Sequence, residues 1–517
     1  MTLLSIASRT SNPIRMRIQQ LLEHHGIVMN PFAEEDAQTD PVFKERCRDG
    51  THHPVWDKVY GNPTDPATSI VFGEKGAGKT AMRMQISGRI ADHNSQHKDG
   101  RIYIIGYDDF NPFLDRFADR FSARKQRDPA RILAEWKLWD HMDAILSLGV
   151  TGLVDRLLDI PKPSGSQANR LPAKRGHSLD RQQKRDVLLL AACYDNSTNE
   201  ASSIRWNRLK RKLHFRTWFS RWDRLLGYVM TIAVVAAVAY SIANSKDWLR
   251  LTQVWPYLIV ALGWAPWLAR VWKWYFEARR ISRNIRVLNH DRGAMRRALM
   301  RFYANDINGQ PLPARQRTDD RYELLAKFHG VLQSLGYSGV VVLVDCVDEP
   351  HLITGSVQRM KALIWPMLDN KFLKQPGIGL KLLLPSELNE FLEKESRDFY
   401  QRARLDKQNM IPSLDWTGQA LYDLANTRVK CCAAGGQQPA VRSLIDKSID
   451  DQRIIDAFAA LRTPRHLFKF MYRLLVAHCN AHTDDQPVWE VPQELFEATL
   501  SVYRRDQDAI DRGLRAG

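Results

Sequence analysis

The chain has 517 residues, too many for one ordinary hydrophobic core and enough for two or three domains. Its 44% apolar content excludes a disordered or fibrous protein. A formal charge of +17 first suggests nucleic acid as a partner, but between Ala201 and Arg301 there are 20 Lys and Arg against 4 Asp and Glu, so one segment carries +16 of the excess. The six cysteines, Cys47, Cys193, Cys346, Cys431, Cys432 and Cys479, form no C-x-x-C pair and no zinc spacing, the pattern of reduced residues in a cytosolic body.

Residues 1–60 read as a helical and loop-rich N-terminal segment, and Met1 to Thr10 lacks the basic and apolar regions of a cleaved signal peptide. A nucleotide core, first part 61–200, follows. Ser69-Ile70-Val71-Phe72 is a short apolar strand candidate. It runs into Gly73-Glu74-Lys75-Gly76-Ala77-Gly78-Lys79-Thr80, which fits G-x-x-x-x-G-K-[ST], and then into a helix-like Ala81-Met82-Arg83-Met84-Gln85-Ile86. Strand, glycine-rich loop and helix are the context this motif needs. The glycines let the backbone aim N–H groups at phosphate, and the helix N-terminus adds positive potential. Lys79 would reach the outer phosphates of ATP, and the Thr80 hydroxyl would ligate Mg2+.

Ile102 to Tyr107 reads as the second strand and Pro112 to Leu148 as mainly helix. Pro161 to Ser178, rich in Pro, Ser, Gly and basic residues, breaks the pattern before a helix at Arg181 to Ala192. Residues 201–290 form a basic-flanked insert. Within it Leu225 to Asn244 is a stretch of 20 uncharged residues and Leu251 to Ala269 one of 19, each about the roughly 30 Å of a bilayer interior as helix. The link, Ser245 to Arg250, is short enough to make the two a transmembrane hairpin. Basic residues crowd the outer flanks and are sparse in the link, so the positive-inside rule places both flanks in the cytoplasm. Trp218, Trp222, Trp267, Trp272 and Trp274 would mark that interface, Trp248 and Trp255 the far one. Small residues such as Gly227 and Gly263 would let the helices approach closely. Neither stretch carries an Asp, Glu, Lys, Arg or His for an ion path.

The second part of the core, 291–415, opens with a helix at Tyr322 to Leu335 and then Val340-Val341-Val342-Leu343-Val344-Asp345, a strand covered on both faces and ending in a carboxylate. Asp345 would hold a water of the magnesium ion, and Asp348 or Glu349 would polarise the attacking water. A helix at Val357 to Leu368 crosses to a strand at Gly379 to Ser386, whose end places the Ser386 hydroxyl to sense a terminal phosphate; Met410-Ile411-Pro412 is a short last strand. From 416 to 517 the pattern is helical, and Thr463-Pro464-Arg465 opens an amphipathic helix. The fold expected is α/β: a mainly parallel sheet of the P-loop NTPase kind, interrupted by a transmembrane helical hairpin (225–244 and 251–269) and followed by a C-terminal helical domain.

On these motifs the chain resembles the KAP family of P-loop NTPases within the STAND group, which is similar in placing paired transmembrane helices between the two nucleotide motifs. The resemblance implies Lys79 and Thr80 as the loop's phosphate and metal residues, Asp345 and Asp348 as the two acids of the second motif, and Arg465 of Pro464-Arg465 as a nucleotide sensor. Where that family commonly reads Asp-Asp-Leu-Asp-Arg, this chain reads Asp345-Cys346-Val347-Asp348-Glu349. It implies an ATP hydrolase using ATP and Mg2+, held at the cell inner membrane with its soluble parts cytoplasmic. A nucleotide-dependent switch in a signalling or anti-phage defence complex, as a homo-oligomer or with an effector protein, is the first reading. A basic nucleic-acid-binding ATPase and the energy-coupling subunit of a transporter are the alternatives. The chain has no Leu-Ser-Gly-Gly-Gln signature, and no Asn-Lys-x-Asp to suit a GTPase.

Overall fold

In the computed structural model the described residues are 15–48, 50–160, 179–215, 222–245 and 254–511. The break read at Pro161 to Ser178, the Met1 to Thr10 leader reading, Trp218, Trp248 and all but the first residue of the Ser245 to Arg250 link lie outside them.

The centre is a five-stranded sheet: β1 (Ser69–Gly73), β2 (Arg101–Tyr107), β3 (Tyr337–Val344), β4 (Ile378–Pro385) and β5 (Asn409–Ile411), in the order β2-β3-β4-β1-β5, with every pairing parallel. Each strand read from the sequence is present. The long apolar runs follow from two buried faces. Ile70, Phe72, Val340, Val342, Leu382 and Leu384 pack into the larger core, whereas Val71, Val341, Leu343 and Leu383 point the other way, against Met82, Ile86 and Ile90 of α1 (Lys79–Gln96). Lys381 interrupts the apolar run of β4 and is 1% exposed. Its ammonium donates to the carbonyls of Val59 (2.5 Å) and Ala67 (2.7 Å) and to Ser69 Oγ (3.1 Å), so a buried charge clips the chain entering β1, and burial pushes its pKa down to about 8.

Pro112 to Leu148, read as mainly helix, is helix in pieces. The last and longest is α2 (Leu138–Leu157), packed on the sheet; Gly149 lets Phe328 and Ile105 approach its backbone. α3 (Arg181–Tyr194), capped by Asp180, and α4 (Ser202–Lys212) continue this layer. A buried ion pair, Arg321–Asp143 at 3.0 Å, joins it to the helix before β3, with the Tyr194 hydroxyl donating to Asp143 at 2.7 Å.

The basic insert contains two long helices, α5 (Trp222–Ser245) and α6 (Trp255–Asn284). They pack antiparallel. Arg270 pairs with Asp223 at 2.9 Å, Trp264 Nε1 donates to Thr231 Oγ1 at 3.0 Å, and added Cβ atoms at Gly227 and Gly263 would lie 2.8 Å from Trp264 and Met230. Their outer faces are bare: Ile232, Val235 and Tyr240 of α5 and Tyr257, Leu258 and Leu262 of α6 are all more than half exposed. Among the described residues one helix, over Trp222–Ala243, is long and apolar enough to cross a membrane. α6 falls short by itself because Trp, Tyr and Pro266 dilute its apolar part and its last turns are basic; Leu251 to Gln253, the start of the stretch read from the sequence, are outside the described residues. Beyond Arg270 the helix enters the body, where Trp274, Ala278 and Ile281 are buried in the main core. Trp274 is therefore a packing residue rather than an interfacial marker. It faces inward because the same helix that carries the bare apolar surface is rooted in the core.

The N-terminal segment has no core of its own. Leu21, Leu22, Ile27, Phe32 and Phe43 pack with Leu421, Val429, Phe458, Leu467 and Phe496 of the C-terminal helices, so the two ends of the chain form one helical layer beside the sheet. Arg428 of α7 (Gly418–Cys431) fastens it, donating to Asp40 at 2.6 Å and to the Pro31 carbonyl at 2.7 Å.

Candidate functional site

The loop after β1 is built on two glycines in the left-handed region. Gly76 has φ +90° and Gly78 φ +97°, so the chain turns sharply and α1 starts at Lys79. Gly76 is also crowded, because a Cβ there would lie 2.6 Å from Cβ of Arg465. Lys79 lies across this loop, its ammonium donating to the carbonyls of Gly73 (2.7 Å) and Glu74 (3.0 Å). Burial lowers its pKa, while Asp348, Asp345 and Glu387 act against that shift in decreasing order and Arg465 adds to it. The largest stabilising charge on the loop lysine is thus the second acid read from the sequence.

Thr80, in the first turn of α1, donates its hydroxyl to Asp345 Oδ2 at 3.0 Å. Asp345 is 1% exposed and stands just past the end of β3. The strand between, β4, carries the two motifs at one end of the sheet, its register setting Gly73 beside Pro385 and Val344 beside Leu382. A hydroxyl that donates to a carboxylate turns its oxygen lone pairs outward, the arrangement required of a magnesium ligand with an acidic supporting partner. Among the described residues no group of three or more His, Cys, Asp or Glu side chains is arranged to hold a metal ion by itself. An ion held by one hydroxyl, phosphate oxygens and water needs no such cage.

Asp348 and Glu349 both line the same cleft, of about 320 Å3, as do Lys75 to Met82 of the loop, Asp345, Cys346, Pro464 and Arg465. Asp348 is half-buried and Glu349 exposed. Glu349 lies against the Cys346 thiol, whose pKa burial pushes well up, with Asp345 and Glu349 adding to the rise. A thiol held protonated is no base at neutral pH, which leaves any acid–base work at this end of β3 to the two carboxylates. Glu74 and Lys75 are exposed on the rim and Ala77 is buried beneath it. Of the sequence-derived residues, Lys75 to Thr80, Asp345, Asp348, Glu349 and Arg465 converge on this cleft, whereas Gly73, Glu74 and Ser386 are not part of its lining. The Ser386 N–H bonds the Gly73 carbonyl at 3.1 Å and its hydroxyl lies 3.4 Å from Glu387, so Ser386 braces the base of the loop.

Arg465 begins α8 (Pro464–Ala481), whose N-cap Thr463 accepts from His466 N–H; its own N–H points to the Gly76 carbonyl at 3.4 Å. The C-terminal layer thereby touches the loop through its first turn.

Three contributors were not read from the sequence. Arg83, one turn beyond Thr80, comes within 3.3 Å of Asp345 and also pairs with Asp108 at the end of β2; its i+3 spacing from Thr80 was the available signal. Trp416 donates from Nε1 to the Ala77 carbonyl at 2.9 Å and stands edge-on to His53 with ring centres 4.8 Å apart. Glu35 to Asp40 of the N-terminal segment close the far wall, with Gln38 Nε2 3.9 Å from Cys346 Sγ. Nothing local in those stretches marks them, since they reach the cleft only through the shared helical layer.

Compared with known proteins, the chain matches no family model, no curated protein and no solved structure.

Proposed function

We propose that this chain is a membrane-anchored P-loop ATPase that works as a nucleotide-dependent switch. The observation that carries the reading is the Thr80–Asp345 hydrogen bond at 3.0 Å, which unites a glycine-rich phosphate loop with the carboxylate of a buried parallel strand. In this reading the loop N–H groups and Lys79 hold the outer phosphates of ATP, and Asp345 fixes the Thr80 hydroxyl in the orientation a metal needs. Mg2+ would supply charge neutralisation of the β- and γ-phosphate oxygens. Asp348 polarises the attacking water, and Arg465 relays the state of the loop to the C-terminal helical layer that it opens.

Two features support anchoring. α5 is uncharged after its first turn and exposes its apolar side chains, and α6 continues from beside it into the core, so the apolar pair and the nucleotide core are one connected body. The nucleic-acid alternative is weakened by how the insert's arginines are used: Arg205 pairs with Asp195 and Asp155, Arg270 with Asp223 and Arg286 with Asp140. The KAP resemblance extends the proposal to a signalling or anti-phage defence complex, with a second copy or an effector protein as partner. The deciding experiment is nucleotide binding and hydrolysis by the full chain and by Lys79→Ala; unchanged affinity and turnover in the variant overturns the assignment.

A further inference from the structure

Asp108 and Asp345 follow directly on two neighbouring strand ends. β2 and β3 run parallel with Tyr107 registered against Val344, so each acid is the first residue past a paired position. Two adjacent carboxylates repel each other unless a cation lies between them. Arg83 supplies it. Its guanidinium pairs with Asp108 through Nη1, and its Nε lies 3.3 Å from Asp345 Oδ2. The side chain is 14% exposed and Nε makes no aligned hydrogen bond, so this buried end of the guanidinium relies on the charge of Asp345.

The placement follows from α1. Thr80 and Arg83 are three residues apart near its start and so project from the same face. Both reach one oxygen: Thr80 Oγ1 donates to Asp345 Oδ2 at 3.0 Å, and Arg83 Nε approaches that same atom. Neither contact uses Oδ1. Asp345 lines the nucleotide cleft, whereas Arg83 and Asp108 do not. Within this cluster, then, Arg83 reaches the cleft through Asp345, and Asp108 reaches it through Arg83. Charge and geometry give opposite expectations for a metal there. A guanidinium repels a nearby cation, so its loss by itself would strengthen metal binding. Asp108 offsets that charge at contact distance, which leaves the orientation of a carboxylate only 1% exposed as the larger effect.

We infer that Arg83 is a positioning residue of the nucleotide site, holding the Asp345 carboxylate against Asp108 so that the Thr80 hydroxyl keeps its lone pairs turned outward for Mg2+. The inference rests on the P-loop ATPase reading. It adds the end of β2 to the support of the magnesium site, through a residue that belongs to neither nucleotide motif.

The test reads nucleotide binding rather than turnover. A fluorescent ATP analogue is titrated with Mg2+ on the detergent-solubilised full chain, for the parent, Thr80→Val, Arg83→Gln, Arg83→Lys and Asp108→Asn. Arg83→Gln should raise the Mg2+ concentration for half-maximal binding about tenfold, the low end of what supporting contacts contribute at a metal site. Arg83→Lys keeps the charge but has no fork to span both carboxylates, so it should fall between the parent and Arg83→Gln. Asp108→Asn, at a side chain 37% exposed, should shift the requirement by a smaller factor, and by nothing further when combined with Arg83→Gln, because it acts through that arginine. A parental requirement in Arg83→Gln, with Thr80→Val shifted, overturns the positioning role alone. A lower requirement in Arg83→Gln also overturns it, since the arginine would then compete with the cation. Additive shifts for Arg83→Gln and Asp108→Asn overturn the link to β2. If Arg83→Gln does not fold, parental requirements in both Arg83→Lys and Asp108→Asn overturn the inference. Parental behaviour of Thr80→Val together with Arg83→Gln overturns the ATPase reading itself.

Discussion

Thr80 and Asp345 are 265 positions apart in the chain, and the hydroxyl of one donates to the carboxylate of the other over 3.0 Å. The two apolar helices occupy that interval without disturbing the contact, because β3 and β1 are both registered against β4. If the pair holds Mg2+ with ATP, Thr80→Val should raise the Mg2+ concentration needed for nucleotide binding by about 10–100-fold. Asp345→Asn should do likewise. The double variant should cost little more than the worse single one, since both remove the same contact. Magnesium titrations of a fluorescent ATP analogue measure this; fully additive losses would show that the residues act apart.

The acids beyond β3 differ in surroundings. Asp348 is half-buried and is the largest charge acting on Lys79, whereas Glu349 is exposed and engages Cys346. Asp348→Asn should therefore slow single-turnover hydrolysis by about 10²–10⁴-fold with ATP affinity retained, because the contact matters mainly in the transition state. Glu349→Gln should turn over within a few-fold of the parent. ATP trapped by Glu349→Gln alone would transfer the water-polarising role to Glu349.

Much of this site was legible in local patterns. The glycine-rich loop and the acidic strand are each spelled in a few adjacent residues, and β1, β3 and β4 stood out because two-sided burial writes itself as apolar runs. What sequence could not give is the far wall. Glu35 to Asp40 and Trp416 reach the cleft only because the chain's two ends share one core, a long-range packing fact with no local periodicity. Ser386 misled for a related reason: the end of β4 was placed correctly, but its hydroxyl turns to Glu387. Trp274 likewise reads as an interfacial tryptophan until α6 is seen to continue into the core.

Gly76 and Arg465 couple the loop to α8. With φ at +90° and a Cβ destined to meet Arg465 at 2.6 Å, Gly76→Ala faces both a backbone cost of about 1–2 kcal/mol and a clash. It should weaken ATP binding and lower the melting temperature. Arg465→Ala should leave the fold intact and instead abolish the nucleotide-dependent change in protease sensitivity of residues 416–511. Identical digestion patterns with and without ATP in the parent would remove the basis for a relay.

The apolar helices lead to a topology experiment. If both basic flanks lie in the cytoplasm, a cysteine replacing Ser245 at the end of α5 should react with an impermeant thiol reagent in intact cells in a background lacking the native cysteines. Labelling confined to permeabilised cells would invert or abolish the proposed crossing.

His141 makes the core sensitive to acid. It is fully buried on α2, with Nδ1 3.0 Å from the Tyr107 hydroxyl and Nε2 2.7 Å from the Leu363 carbonyl. The carbonyl can only accept, so Nε2 carries the proton and Nδ1 accepts from Tyr107; a second proton would have to displace that bond inside the core. Burial accordingly pushes its pKa down to about 4 from 6.5. The sign follows: as pH falls below 6.5 the unfolded chain takes up a proton that the folded chain refuses, so stability is lost between 6.5 and about 4. The full loss for this one residue is about 3 kcal/mol, of which about 1 kcal/mol has appeared by roughly pH 5.5. His290, also pushed to about 4 by burial and by Arg120 and Arg116, adds a similar dependence in parent and variant alike. His141→Gln keeps an acceptor for Tyr107 and a donor for Leu363 while removing the titration. Urea unfolding of the detergent-solubilised chain at about pH 7 and about pH 5.5 should show a pH dependence shallower by up to one proton in the variant. A steeper slope in the variant would mean that His141 is already protonated in the folded protein and that its bond to Tyr107 runs in the opposite sense, and an unchanged slope that His141 takes up its proton alike in the folded and unfolded chains.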